Sequence, residues 1–326
     1  MKKDIFDALQ NDVMSANLSE KERKQMLKNI MKLKNQKINI MITGPTGCGK
    51  SSTINALFDT EVAKVGVGTD PETMCIEKYQ LDNLVIWDTP GLGDGREADR
   101  KHTEAIIRKL NEVDSNGNAL IDLVLVILDG GSRDLGTSYD LINNVIIPNL
   151  GQNKKDRILV AINQADVAMK GRYWNFDRNE PEEQLVEFLE NKVVSVKNRI
   201  FEATGIDVDP IYFCAGYKEE GEMQNRPYNL SKLLYYIVNH TPAEKRFVYA
   251  NNLNDDEEMW GDDDRKNDYN RETKRSIIKS IVDGATAGAR IGSAIGSVFG
   301  GVGRCVGGLI GGAIGGFGGG FCGFFS

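Results

Sequence analysis

The chain has 326 residues, a formal net charge of −7, 40% hydrophobic residues and five cysteines. That length accommodates one α/β domain plus additional segments, and the acidic balance excludes a generally basic nucleic-acid-binding surface. The cysteines (Cys48, Cys75, Cys214, Cys305 and Cys322) form no C-x-x-C pair, which excludes a disulfide framework or a zinc ribbon and points to a reducing, cytosolic setting. His102 and His240 lack metal-ligand spacing and read as surface or helix positions. The charged start, Met1-Lys2-Lys3-Asp4, has no apolar core region and is not expected to act as a secretory signal.

In chain order, residues 1–36 read as helical. Ser19-Glu20-Lys21-Glu22 is a capping box, and Met26, Leu27, Ile30, Met31 and Leu33 follow at helical spacing. Such a stripe serves either packing on the main domain or a partner. Residues 38–42 (Ile-Asn-Ile-Met-Ile) read as a buried strand and 52–58 as a helix. Between them Gly44-Pro45-Thr46-Gly47-Cys48-Gly49-Lys50-Ser51-Ser52 fits G-x-x-x-x-G-K-[ST], the phosphate-binding loop. Glycines let successive N–H groups turn inward around phosphate oxygens, and the helix N-terminus adds partial positive charge. Lys50 would reach the β- and γ-phosphates, and the Ser51 hydroxyl would ligate Mg²⁺.

Strand-like runs continue at 75–81, 84–87, 123–128, 158–162 and 211–214, with helical patterns at 96–110, 135–147, 181–203 and 230–239. Continuous apolar runs such as Leu-Val-Leu-Val-Ile-Leu imply burial on both faces and a mostly parallel sheet flanked by helices. Asp82-Asn83 signals a tight hairpin, so one edge strand should be antiparallel. Ligands sit at the C-terminal ends of such strands, and two further motifs fall there. Asp88-Thr89-Pro90-Gly91 follows 84–87; its acid can hold Mg²⁺ and the Gly91 N–H can meet a γ-phosphate. Asn163-Gln164-Ala165-Asp166 follows 158–162; the Asp166 carboxylate can accept hydrogen bonds from guanine N1–H and the exocyclic amine, which adenine does not offer in that arrangement. Cys214-Ala215-Gly216 can present a backbone N–H to guanine O6. The loop 170–181, with Arg172, Tyr173, Trp174 and Phe176, suits either a partner surface or packing under the following helix.

This set, G-x-x-x-x-G-K-S, D-T-P-G, N-x-x-D and C-A-G, resembles the nucleotide-binding boxes of translation-factor-class P-loop GTPases. Gly-Lys-Ser-Ser-Thr-Ile-Asn-Ala-Leu-Phe and Trp87-Asp88-Thr89-Pro90-Gly91-Leu92 look like the Era-like branch, which includes bacterial proteins grouped with ribosome-binding GTPases, with echoes of septin-like and immunity-related GTPases. The resemblance covers about 37–246. It implies a GTP-binding switch using Mg²⁺ with slow intrinsic hydrolysis. It also implies that Thr73, with Thr69 as the alternate, supplies the hydroxyl that meets Mg²⁺ and γ-phosphate within 66–74, a loop expected to order and disorder, and that Lys50, Thr73 and Gly91 serve the reacting phosphate. Three positions depart from the pattern. Gln164 replaces a lysine whose stem packs along the guanine ring, Cys214-Ala215-Gly216 replaces Ser-Ala-Lys, and Leu92 stands where Ras-like GTPases keep a water-positioning Gln. Leu92 implies help from a partner or a second subunit, with unassisted turnover on the order of 10⁻⁴ to 10⁻² s⁻¹.

Residues 248–279 turn acidic and then basic, and 251–268 reads as a mobile linker. From Gly284 a glycine recurs every fourth residue (Gly288, Gly292, Gly296, Gly300) and the pattern resumes after Arg304. This is small-xxx-small packing, favoured in membranes, and 306–325 carries no charge over a length just sufficient to span. Arg271, Lys274, Arg275 and Lys279 flank the near side. The expected division is a helical segment 1–36, a GTP-binding domain 37–247, a linker 248–279 and a glycine-zipper tail 280–326. The expected partners are GTP or GDP with Mg²⁺, membrane lipid at a cytoplasmic face, and a second copy through the domain or tail. An enzyme, a nucleotide-gated binding module or ribosome-associated GTPase with negligible intrinsic hydrolysis, and an oligomerising membrane-active protein gated by the nucleotide domain all remain open readings.

Overall fold

The computed structural model describes residues 5–58, 75–91, 95–216 and 225–287. Thr69 and Thr73, Leu92 and the zipper positions from Gly288 onward lie outside the described residues.

Two helices open the chain, α1 (Ile5–Ser15) and α2 (Glu20–Lys34). The capping box forms: the Glu22 N–H donates to Ser19 Oγ at 3.3 Å, and the Ser19 N–H donates to the Glu22 carboxylate at 2.9 Å. Then follow β1 (Ile38–Thr43), α3 (Lys50–Phe58), β2 (Glu77–Leu81), β3 (Leu84–Asp88), α4 (Arg96–Leu110) and β4 (Leu123–Asp129). The helical run expected at 135–147 is α5 (Gly136–Asp140), a π-helical stretch Leu141–Ile146 and α6 (Ile147–Asn149). After β5 (Ile158–Asn163) come a small hairpin of β6 (Trp174–Asn175) and β7 (Glu180–Pro181), then α7 (Glu183–Thr204), β8 (Ile211–Tyr212), α8 (Leu230–His240) and α9 (Tyr269–Thr286).

The main sheet has the order β2-β3-β1-β4-β5-β8. All pairings are parallel except β2 with β3, whose two-residue turn puts Asp82 at φ 41°. The fold is therefore the expected α/β arrangement with one antiparallel edge. Strict alternation in β4 divides the core. Leu123, Leu125 and Ile127 face one layer with α1, α2, α3, α8 and α9, while Val124, Val126 and Leu128 face the other with α4 to α7. Met26, Ile30 and Leu33 of α2 belong to the first layer, so that stripe packs on the domain.

The acidic stretch departs from expectation. Leu253, Met259 and Trp260 are buried, and Asn254 caps the end of α3. Its N–H donates to Leu57 O at 2.9 Å and its Nδ2 to Ala56 O at 3.0 Å. Trp260 Nε1 donates to Asn254 O at 3.0 Å, and Asp264 pairs with Lys232 at 2.7 Å in a largely buried contact. Burial raises the Asp264 carboxyl, but the Lys232 bond and charge, with two further hydrogen bonds, outweigh it and hold the group below the usual range. Charge density suggested a solvated linker; satisfied polar contacts and two large apolar side chains dock the segment instead.

The basic flank of the tail is likewise absorbed in part: Lys274 is buried and Lys279 pairs with Asp283 at 2.7 Å. Gly284, first of the four-residue series, lies against α2, where a Cβ would come within 2.6 Å of Leu33 Cδ2. Its lack of a side chain serves helix packing inside the domain. Among the described residues no helix is long and apolar enough to cross a membrane.

Candidate functional site

The loop between β1 and α3 turns through Gly44, Gly47 and Gly49, all at positive φ, a conformation other residues rarely adopt. Thr46 and Gly47 are exposed at its tip, Cys48 is buried beneath, and Ser51 and Ser52 are half-buried in the first turn of α3. Burial pushes the Cys48 thiol up to about 11 against the opposing charge of Lys50, so it stays a neutral packing group. Lys50 is buried and folds back onto the loop, donating to Gly44 O at 3.2 Å and Pro45 O at 3.1 Å. An anion in the cradle would compete for that ammonium.

Asp88 ends β3, next to β1 and in register with Ile42. It is fully buried, and among the described residues neither carboxylate oxygen has a hydrogen-bond partner. Burial pushes its pKa up to about 6, with the Lys50 charge opposing the rise and Glu77 adding to it. A buried carboxylate without partners is costly, and a cation is the group that would satisfy it. Gly91 then brings the Asp88–Gly91 turn against the phosphate loop so closely that a Cβ would overlap Thr46. Thr89 Oγ1 donates to Thr43 Oγ1 at 2.9 Å, and His102 of α4 donates from Nδ1 to Gly91 O at 3.2 Å, a tautomer fixed by a carbonyl that only accepts.

The motif after β5 plays two parts. Asn163 is buried with both amide ends committed: Nδ2 donates to Cys48 O and Oδ1 accepts from the Ala215 N–H, each at 2.9 Å. It ties the phosphate loop to the turn after β8. Asn163, expected to read guanine, thus serves the scaffold with both amide ends. Within the turn Cys214-Ala215-Gly216, expected to face a base oxygen, the Ala215 N–H is the donor in that tie. Gln164, at φ +60°, donates Nε2 to Gly47 O at 3.0 Å and so bridges to the loop as well. Asp166 is only half-buried; one of its oxygens accepts from the Cys214 thiol at 3.1 Å. Burial, followed by the Asp166 charge, pushes the Cys214 thiol far above its ordinary range and keeps it a neutral donor. A carboxylate held this way at the rim can accept two parallel donors from a planar ring.

Three supporting residues were missed in the sequence. Lys192 of α7 donates to Asp129 O, Gly130 O and Ser132 O at 3.1, 2.7 and 2.7 Å, fixing the loop after β4, and the Gly130 N–H donates to Asn163 O at 2.7 Å. Its signal was available, since Lys192 shares the helical face of Leu185, Leu189 and Val196, which are buried. His102 and Asn254 carried no such signal. The aromatic loop divides: Trp174 is buried edge-on to Tyr228 at 5.4 Å, while Phe176 is 76% exposed. Cys75 is exposed.

Residues 39–164 match the family model described as 50S ribosome-binding GTPase. The uncharacterized protein YfjP of Escherichia coli (strain K12) is 29% identical over 168 residues, 51% of this chain and 54% of that one. Translocase of chloroplast 108 of Physcomitrium patens is 36% identical over 102 residues, 30% of this chain and 10% of that one. The chain thus spans about half the length of the first relative and a tenth of the second. Among solved structures, Toc33 from Arabidopsis thaliana in complex with Mg²⁺ and GMPPNP aligns with a TM-score of 0.41 and 16% identity, over 68% of this chain and 88% of that one.

Proposed function

We propose that this chain, whose central segment is a P-loop GTPase domain, binds GTP and GDP with Mg²⁺ and acts as a slow GTP-hydrolysing switch of the Era-like type. The observation that carries the reading is Asp88: a buried, unpartnered carboxylate in the field of Lys50, at the strand end beside the phosphate loop. Ser51 and Asp88 would hold the metal, with Thr73 completing the set by sequence. Bound there, Mg²⁺ would offset charge on the phosphates. Gly44 to Ser52 cradle the phosphates, Gly91 abuts the loop where a γ-phosphate N–H contact is needed, and Asp166 reads the guanine edge. Asn163 and Gln164 hold that reader in register with the cradle.

The functional division follows the packing. The nucleotide domain would be 37–247, with α1, α2 and α9 packed on one of its layers. The tail beyond it, glycine-rich and charged only at Arg290 and Arg304, associates with the cytoplasmic face of a membrane. Leu92 leaves hydrolysis dependent on a group from a partner or a second copy.

The test is calorimetric binding of GTP, GDP and ATP with and without Mg²⁺, followed by single-turnover hydrolysis with and without vesicles. Guanine nucleotides should bind in a Mg²⁺-strengthened manner and ATP should not, with turnover on the order of 10⁻⁴ to 10⁻² s⁻¹ that rises on vesicles. Equal binding of ATP refutes the guanine assignment, and guanine binding without turnover leaves a nucleotide-gated binding module in place of an enzyme.

A further inference from the structure

The helix α2 has two unlike faces. Met26, Ile30 and Leu33 are buried in the core. Lys21, Lys24, Lys28 and Lys32 are all exposed, and spacings of three, four and four residues align them on the opposite side over about 17 Å of helix. Among the described residues none of the four makes an ion pair or a side-chain hydrogen bond. The sequence from Arg23 to Lys37 contains no acidic residue; Glu20 and Glu22 sit in the first turn, and Glu22 is engaged by the Ser19 cap. Met31, 52% exposed, borders the stripe. In a chain of net charge −7 such a row is a local reversal of sign.

Its place in the fold says what would cover it. Asn29, next to Lys28, donates Nδ2 to Ala285 O at 2.9 Å and to Ala287 O at 2.8 Å. α2 thereby holds the C-terminal end of α9, and the chain continues from that point into 288–326, which contains no acidic residue and only Arg290 and Arg304 as charges. An apolar sequence that follows Ala287, together with four exposed lysines on the helix that holds Ala287, matches a bilayer surface bearing anionic headgroups. The hydrocarbon would accept the former and the phosphates the latter. RNA would engage the lysines but offers nothing to the apolar chain.

We propose that the lysine face of α2 docks the protein on anionic lipid beside the point where its tail leaves the domain. The proposal rests on the membrane reading above and adds the surface and the lipid class. A lysine close to an anionic leaflet is worth about fivefold in partitioning, so four give roughly 10²- to 10³-fold, screened as salt rises.

The experiment is sedimentation of the full chain with vesicles of phosphatidylcholine alone and of phosphatidylcholine with 30% phosphatidylserine, at low and high salt. It compares wild type, the quadruple variant Lys21→Gln, Lys24→Gln, Lys28→Gln, Lys32→Gln, and the matching Lys→Arg variant. Wild type and the Arg variant should bind the anionic vesicles at least 100-fold more tightly than the Gln variant at low salt. All three should bind neutral vesicles alike through the tail. Unfolding midpoints and nucleotide affinity check that the Gln variant is folded. Equal binding of the anionic vesicles by a folded Gln variant overturns the proposal while leaving the membrane reading intact. No binding of wild type to either vesicle overturns both. Tighter lysine-dependent binding to an RNA duplex than to anionic vesicles overturns it in favour of RNA.

Discussion

Replacing Asp88 by Asn should stabilise the nucleotide-free protein near neutral pH. The carboxyl is fully buried without partners, and its pKa is pushed up to about 6 from an ordinary 3.8. An acid raised on folding contributes stability that is fully present below its unfolded value and lost as pH rises through the folded value. Here the loss runs between pH 4 and 6, and about two units correspond to about 3 kcal/mol at pH 7.5. Asn carries no charge but leaves two polar atoms in the same place, so the net gain is about 1–3 kcal/mol. The assay is urea unfolding of both proteins from pH 4 to 8, reading the difference so that other titrating groups cancel. The difference should be small at pH 4 and grow through pH 6. Adding Mg²⁺ and GDP should then reverse the order, because the metal satisfies the carboxylate and has weaker purchase on Asn. A variant less stable than wild type in the nucleotide-free state at pH 7.5, or a difference that does not vary with pH, refutes the reasoning.

Asn163→Ala removes the tie between Cys48 O and the Ala215 N–H; nucleotide affinity measured by fluorescent-analogue titration should fall about 10- to 100-fold, with loss of two buried hydrogen bonds. Gly91→Ala puts a methyl group into the space of Thr46; the preference for GTP over GDP should shrink and hydrolysis should drop at least tenfold, both read on the purified variant. Asn254→Ala removes the side-chain cap on the carbonyl of Ala56 in α3; urea unfolding should show about 1–2 kcal/mol of destabilisation.

Much of this molecule was legible in its sequence because its signals are local. The continuous apolar run of Leu123–Asp129, the Ser19–Glu22 box and the two-residue turn at Asp82-Asn83 are each set by neighbours in the chain. The phosphate loop and the Asp88 turn were readable for the same reason: a fixed spacing encodes a backbone path. What escaped was the partnership of polar side chains across the fold. Asn163 was legible as a ligand-reading group, but not as the tie between Cys48 and Ala215, over a hundred and some fifty residues away. Asn254 sits among acids that suggested a solvated linker, and its role depends on where α3 ends. Gly284 belonged to a periodic pattern that suggests membrane packing, but its neighbour is Leu33 of the same domain. In each case composition gave the average environment, whereas long-range packing set the particular one.

The central claim is guanine recognition by Asp166 in a P-loop switch, and the most direct measurement is the nucleotide preference of Asp166→Asn. Asp166 is half-buried, with one oxygen accepting from the Cys214 thiol, and under the proposal its carboxylate would meet two ring donors. An amide in its place presents a donor where guanine also donates, and matches xanthine, which accepts there. Competition binding should show GTP affinity falling about 100-fold or more while xanthosine triphosphate gains. An unchanged preference for GTP in the folded variant would contradict the account.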